Sequence, residues 1–148
     1  MAEDALPFES ATGFLLARLG SMATRSWQAM LQTHGLSPHE HAVLLALQSH
    51  HQVGQQALAR YIAVDPRNVV PIVDSLESRG LVRRAVDPSD RRRRLIDLTP
   101  KGRRTAERLA SSATGSEREF LRGLTLREQD TLNRLLRKLR AALVEAGD

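Results

Sequence analysis

The chain of 148 residues is long enough for one domain, or for a compact lobe plus a second that oligomerises. Its formal charge of +5 and sequence pI near 10.9 suit a polyanionic partner, and the lack of cysteine excludes disulfides, thiolate zinc sites and thiol redox sensing. No apolar run approaches a membrane span, and the N-terminus lacks a basic region followed by an apolar one, so a soluble cytoplasmic protein with no membrane partner is expected.

Residues 1–7 are expected to be disordered. A long helix is predicted over about residues 8–33, with Phe14, Leu15, Leu19, Met22, Met30 and Leu31 at helical spacing and Gly13 and Gly20 as local weak points. Gly35 breaks it. Ser37-Pro38-His39-Glu40 then opens a second helix as a capping box with proline at the first helical position, and Ala42, Leu44, Leu45 and Leu47 carry it to about His50. A shorter third helix, about residues 54–62, turns Leu58, Ala59 and Ile62 inward, and Ala63-Val64 makes a tight connection to the next.

Asp65 before Pro66 is a strong helix start, an N-cap carboxylate ahead of proline. Val69, Val70, Ile72, Val73 and Leu76 supply an apolar face, and Gly80 is placed to end the helix. Two short strands follow, residues 81–86 and 94–98. Between them Asp87-Pro88-Ser89-Asp90 has proline where a type I turn takes it, followed by Arg91, Arg92, Arg93 and Arg94.

Thr99-Pro100 starts a fifth helix that reaches Phe120 or Leu121, with residues 111–116 as a weak point or kink. Thr125-Leu126-Arg127-Glu128 is a second capping box, opening a last helix with Leu132, Leu135, Leu136, Leu139 and Leu143 on one face. Aromatics make up only 3% of the chain, so the core is small, and the leucine stripe has too little of its own domain to cover. Pairing with a second copy is its simplest use; packing on the first helix is the alternative.

Two helices joined by a tight turn, the second capped and followed by an arginine-tipped ribbon, form a winged helix-turn-helix. The expected fold is mostly α with a small two- or three-stranded β-wing and a helical dimerisation lobe. Its parts are residues 1–35, the first helix of the dimerisation lobe; residues 36–99, the DNA-binding domain; and residues 100–148, the remaining lobe helices. Arg83, Arg84, Arg91 to Arg94, Lys101, Arg103 and Arg104 concentrate the positive charge in one stretch, as gripping a duplex requires.

The stretches Asp65-Pro66-Arg67-Asn68-Val69-Val70, Leu76 to Arg84, Asp87 to Arg92 and Leu98-Thr99-Pro100-Lys101-Gly102 together resemble the MarR family of bacterial transcriptional regulators over nearly the full length. The resemblance implies a symmetric dimer built on the first, fifth and sixth helices. Each subunit then offers the helix from Asp65 to the major groove and a wing to the minor groove. It matches Arg92 to the minor-groove arginine and Asp90 to a wing acid that pairs with an arginine. It also implies a small aromatic or anionic effector; Phe14, Arg18, Met22, Trp27, His41 and Leu45 are the candidates to line its pocket, or the apolar ones among them are ordinary core. Pro71 departs from the family pattern: either the recognition helix bends there, or residues 66–70 form a looser first turn.

Arg67 suits guanine O6/N7 and Asn68 suits adenine N6/N7, although Asn68 equally suits a local helix-start hydrogen bond. Val70 and Pro71 belong to the same DNA-facing set. Gln55, Gln56, Arg60 and Ser37 are candidates for phosphate contacts, and Arg91, Arg92 and Arg93 for the minor groove and its phosphates. Arg94 instead pairs with Asp90 or Asp97. His39 and His41 lie two apart on a helix and no histidine follows His51, so no metal site and no cofactor is expected. No nucleophile elbow, phosphate-cradling glycine loop or placed carboxylate pair is present, so an enzyme is not expected. The reading is a ligand-responsive repressor binding a pseudo-palindromic operator as a homodimer; the rival is a non-specific architectural DNA-binding protein.

Overall fold

A computed structural model describes residue 8 and residues 10–146, so the disorder expected for residues 1–7 lies outside the described residues. The elements are α1 (Thr12–Thr33), α2 (Pro38–Ser49), β1 (Val53–Gly54), α3 (Gln55–Tyr61), α4 (Pro66–Ser78), β2 (Val82–Val86), β3 (Arg94–Leu98), α5 (Pro100–Phe120) and α6 (Leu126–Glu145). The chain divides into two compact units, Met1–Ala113 and Thr114–Asp148, with the boundary inside α5.

In the first unit the helix ends follow their local chemistry. Ser37 accepts the Glu40 N–H at 3.2 Å while the Glu40 carboxylate accepts the Ser37 N–H at 2.8 Å, completing the capping box of α2. Asp65 caps α4 by accepting the Arg67 N–H at 2.8 Å. Three helices close alike: Leu36 N–H donates to Leu31 C=O at 3.1 Å, Val64 to Ala59 at 3.1 Å and Leu81 to Leu76 at 2.9 Å. Each closure needs a left-handed residue, supplied by Gly35 and Gly80 but, in the turn between α3 and α4, by Ala63 at φ 54°.

The core is one cluster. Leu31 of α1, Leu44 and Leu47 of α2, Leu58 of α3, Val69, Val73 and Leu76 of α4, Ile96 and Leu98 of β3 and Leu109 of α5 are all essentially inaccessible. Each such side chain contributes about 1.5–3 kcal/mol by leaving water. The antiparallel sheet has the order β1-β3-β2, with Val53 opposite Ile96 on one side and Arg84 opposite Ile96 on the other.

Several expectations change. Helix α1 begins at Thr12 rather than near residue 8, and Ala11 just before it donates its N–H to the Phe8 C=O at 3.1 Å. Gly13 and Gly20 do not interrupt it. Residues 53–54 pair with β3 as a third strand, so α3 starts at Gln55 and not at residue 54. Val70, counted both in the apolar face of α4 and in the DNA-facing set, is 38% exposed, since Val69, Val73 and Leu76 already occupy the buried face. Helix α4 runs from Pro66 through Pro71 without a break, so the delayed helix start is not adopted. Helix α5 likewise continues through residues 111–116.

In the second unit Thr125 accepts the Glu128 N–H at 3.4 Å and its own N–H donates to the Glu128 carboxylate at 2.7 Å, the capping box of α6. Gln129 Nε2 donates to the Leu121 and Leu124 carbonyls at 3.2 and 3.0 Å, tying the start of α6 to the turn that follows α5. Leu135, Leu136, Leu139 and Leu143 remain exposed along α6.

Candidate nucleic-acid interface

The turn at Ala63-Val64 sets α4 across α3, and Gln55 Nε2 reaches the Pro66 carbonyl at 3.4 Å to tie the two helix starts. With Val69, Val73 and Leu76 turned inward, α4 shows Arg67, Asn68, Val70 and Pro71 to solvent. Gln56 and Arg60 are exposed on α3, and Ser37 is exposed at the start of α2, where its hydroxyl oxygen serves as the cap acceptor.

Arg67 is not loose. Its Nε donates to Asp65 Oδ1 and its NH2 to Asp65 Oδ2, both at 3.1 Å, a side-on fork that holds the Asp65 carboxyl below the usual carboxylate range. Asp65 therefore does two jobs, cap and arginine partner; the Asp-x-Arg spacing at a helix start was the sequence signal for the second. The helix-start alternative for Asn68 is taken up by Asp65. Asn68 donates its backbone N–H to the Asp65 carbonyl at 2.8 Å, and its amide has no hydrogen bond among the described residues.

The wing tip is two successive turns. Asp90 N–H donates to Asp87 C=O at 3.2 Å around Pro88, and Arg93 N–H donates to Asp90 C=O at 2.9 Å. The base is closed by Asp87 N–H to Arg93 C=O at 3.0 Å. The Asp87 carboxylate accepts the Ser89 N–H at 2.8 Å and the Ser89 hydroxyl at 2.6 Å; these bonds, helped by the Arg93 charge, hold its pKa below the usual range. Asp90, expected to pair with an arginine side chain, instead accepts the Arg92 backbone N–H at 3.0 Å. Arg91, Arg92, Arg93 and Arg94 all stand exposed on this scaffold. Among the described residues Asp97 lies near Arg83 at 4.0 Å and Arg103 at 3.7 Å, not Arg94.

The wing is fastened to α4 and α5. Arg84 of β2 binds Asp74 at 2.6 Å and also Glu77, both on α4, and its N–H donates to Glu77 Oε1 at 3.1 Å. Thr99 donates its hydroxyl to the Gly80 carbonyl at 2.6 Å and accepts the Gly102 N–H at 3.0 Å. Glu40 accepts the Ser75 hydroxyl at 2.7 Å and lies 3.6 Å from Arg79, tying α2 to α4.

Four of the suggested effector residues form two contacts: the Trp27 and His41 rings lie with centroids 5.8 Å apart, tilted by 51°, and Arg18 lies 5.9 Å over the Phe14 ring. Met22 and Leu45 are half-exposed. His41 is buried, its Nδ1 has no hydrogen-bond partner among the described residues, and desolvation lowers its pKa. A surface groove on α6, lined by Arg137, Arg140, Ala141, Val144 and Glu145, includes none of the six. No described helix is long and apolar enough to cross a membrane.

An outward-facing capped helix, its tight turn and an arginine-tipped wing define a winged helix-turn-helix DNA-binding protein. The MarR family model matches residues 34–93, the span from the end of α1 to the wing tip. The transcriptional regulator HosA of Escherichia coli O111:H- is 31% identical over 124 residues, 84% of this chain and 90% of HosA. CouR of Rhodococcus jostii RHA1, solved bound to p-coumaroyl-CoA, is 30% identical at a TM-score of 0.71, covering 93% of this chain and 95% of CouR. BpsR of Bordetella bronchiseptica, whose DNA binding is regulated by 6-hydroxynicotinic acid, is 27% identical at a TM-score of 0.69, covering 92% of this chain and 97% of BpsR. The chain belongs to the MarR family of transcriptional regulators.

Proposed function

We propose that this regulator is a cytoplasmic repressor that binds a pseudo-palindromic operator as a homodimer and releases it when a small aromatic acid or its thioester binds. The observation that carries the reading is the pairing of an exposed, capped α4 with four exposed arginines at the wing tip. Arg67 and Asn68 are assigned to base edges, and Val70 and Pro71 to thymine methyl groups, the contact that apolar side chains make in the major groove. Ser37, Gln55, Gln56 and Arg60 contact phosphate, Arg92 enters the minor groove, and Arg91 and Arg93 flank it. The two ligands named for CouR and BpsR are aromatic, and the Trp27–His41 pair, with its unpartnered Nδ1, supplies a ring face and a polar atom for such a molecule.

The test is an affinity titration on duplex DNA from around the protein's own gene, with scrambled duplex as competitor and aromatic acids added afterwards. The reading expects at least about a thousandfold preference for the cognate duplex, as specific DNA-binding proteins show, and its loss on adding an effector acid. Equal binding to both duplexes would instead make this an architectural DNA-coating protein.

A further inference from the structure

We propose that Asp65 is a positioning residue for sequence specificity: it holds the Arg67 guanidinium in the orientation that presents its terminal N–H pair to O6 and N7 of a guanine. The inference rests on the base-reading role assigned to Arg67 above. A guanidinium carries five N–H donors in one rigid plane. Asp65 occupies the side-on edge, Nε and one hydrogen of NH2, at 3.1 Å each. The end-on edge, one hydrogen from each terminal nitrogen, is left over, and the Arg67 side chain is 90% exposed, so its own chain does not cover that edge. Guanine offers two acceptors, O6 and N7, that match such a pair in the major groove.

The carboxylate is itself anchored. Oδ1 accepts both the Arg67 backbone N–H at 2.8 Å and the Arg67 Nε, so the fork is fixed to the start of α4 rather than to a free side chain. A donor pair already ordered before binding loses less rotamer freedom on reaching the base. The closed side edge and neutralising charge also make Arg67 a poor phosphate ligand, which directs it to a base instead.

Base preference is measured at every half-site position with single-pair-substituted duplexes, for the wild type, Arg67→Ala and Asp65→Ser. Serine keeps the N-cap but cannot reach the guanidinium. Arg67→Ala should erase a guanine preference of about 5- to 150-fold at one position. Asp65→Ser should lose most of that preference at the same position, leave the other positions unchanged, and add nothing further in the double variant. If Arg67→Ala changes no position, the base-reading role itself fails, and this inference with it. If Arg67→Ala erases the preference but Asp65→Ser retains it, or weakens all positions equally, only the positioning role is overturned. Should Asp65→Ser melt early, wild-type binding to a duplex carrying 7-deazaguanine at that position decides: affinity should fall, and undiminished affinity overturns the end-on geometry.

Discussion

A Cβ built on Gly102 would lie 1.9 Å from the Leu81 carbonyl oxygen, so the approach of Leu81, the residue before β2, to the first turn of α5 depends on a missing side chain. Gly102→Ala should therefore cost about 2–4 kcal/mol, since the obstacle is backbone and cannot rotate away. A urea titration checks this: the midpoint should fall with little change in slope. His41 makes a different prediction. Burial lowers its folded pKa, so on acidification the unfolded chain takes up the proton first. The stability it lends is complete above the ordinary histidine range and is lost as pH falls below it. Melting temperature should drop between about pH 7 and pH 5, and His41→Phe should flatten part of the drop; identical profiles would contradict the assignment. Asp65, Asp87 and Glu128 have depressed values, so the stability they add is lost only in more acid solution, below about pH 4. At this scale the sequence showed Asp65 as a cap but not as the partner of Arg67, because the capping role alone accounted for it. The resemblance singles out Asp90 as the wing acid and assigns no role to Asp87, yet Asp87 lies buried and bound to Ser89.

Among the elements, those defined by near neighbours were legible: the two capping boxes, the Asp65-Pro66 start and the glycine stops at Gly35 and Gly80 all act within a few residues. Strand β1 was hidden because a two-residue strand has no periodicity and exists only through its pairing with residues 95 and 96. Of the two alternatives for Pro71, the delayed start is not adopted: the core contacts of Val69, Val73 and Leu76 keep α4 continuous from Pro66 around the lost bond. The wing's fastening by Arg84 to Asp74 and Glu77 also escaped a sequence reading that treated the strand arginines as part of one DNA-facing patch. That separation sharpens the prediction for the tip. Arg92→Ala should weaken operator binding about equally across sequences and lower the slope of log affinity against log salt by about 1, through lost phosphate neutralisation. An unchanged slope in a titration over several salt concentrations would remove Arg92 from the interface.

Across the whole molecule, charge and apolar surface are distributed to different ends of the task. The first unit carries the recognition helix and the arginine tip. The second carries Leu139 at 45% and Leu143 at 65% exposure on one helix, surface that a monomer would leave in water. A second copy covering that stripe would set two α4 helices in one assembly, and a symmetric pair of reading helices asks for two half-sites about one helical turn apart. Footprinting on the operator, with the number of chains bound per duplex measured alongside, tests this most directly. Two protected half-sites about 10 base pairs apart, centre to centre, filled by two chains together, are expected. One protected half-site filled by one chain would contradict the paired assembly.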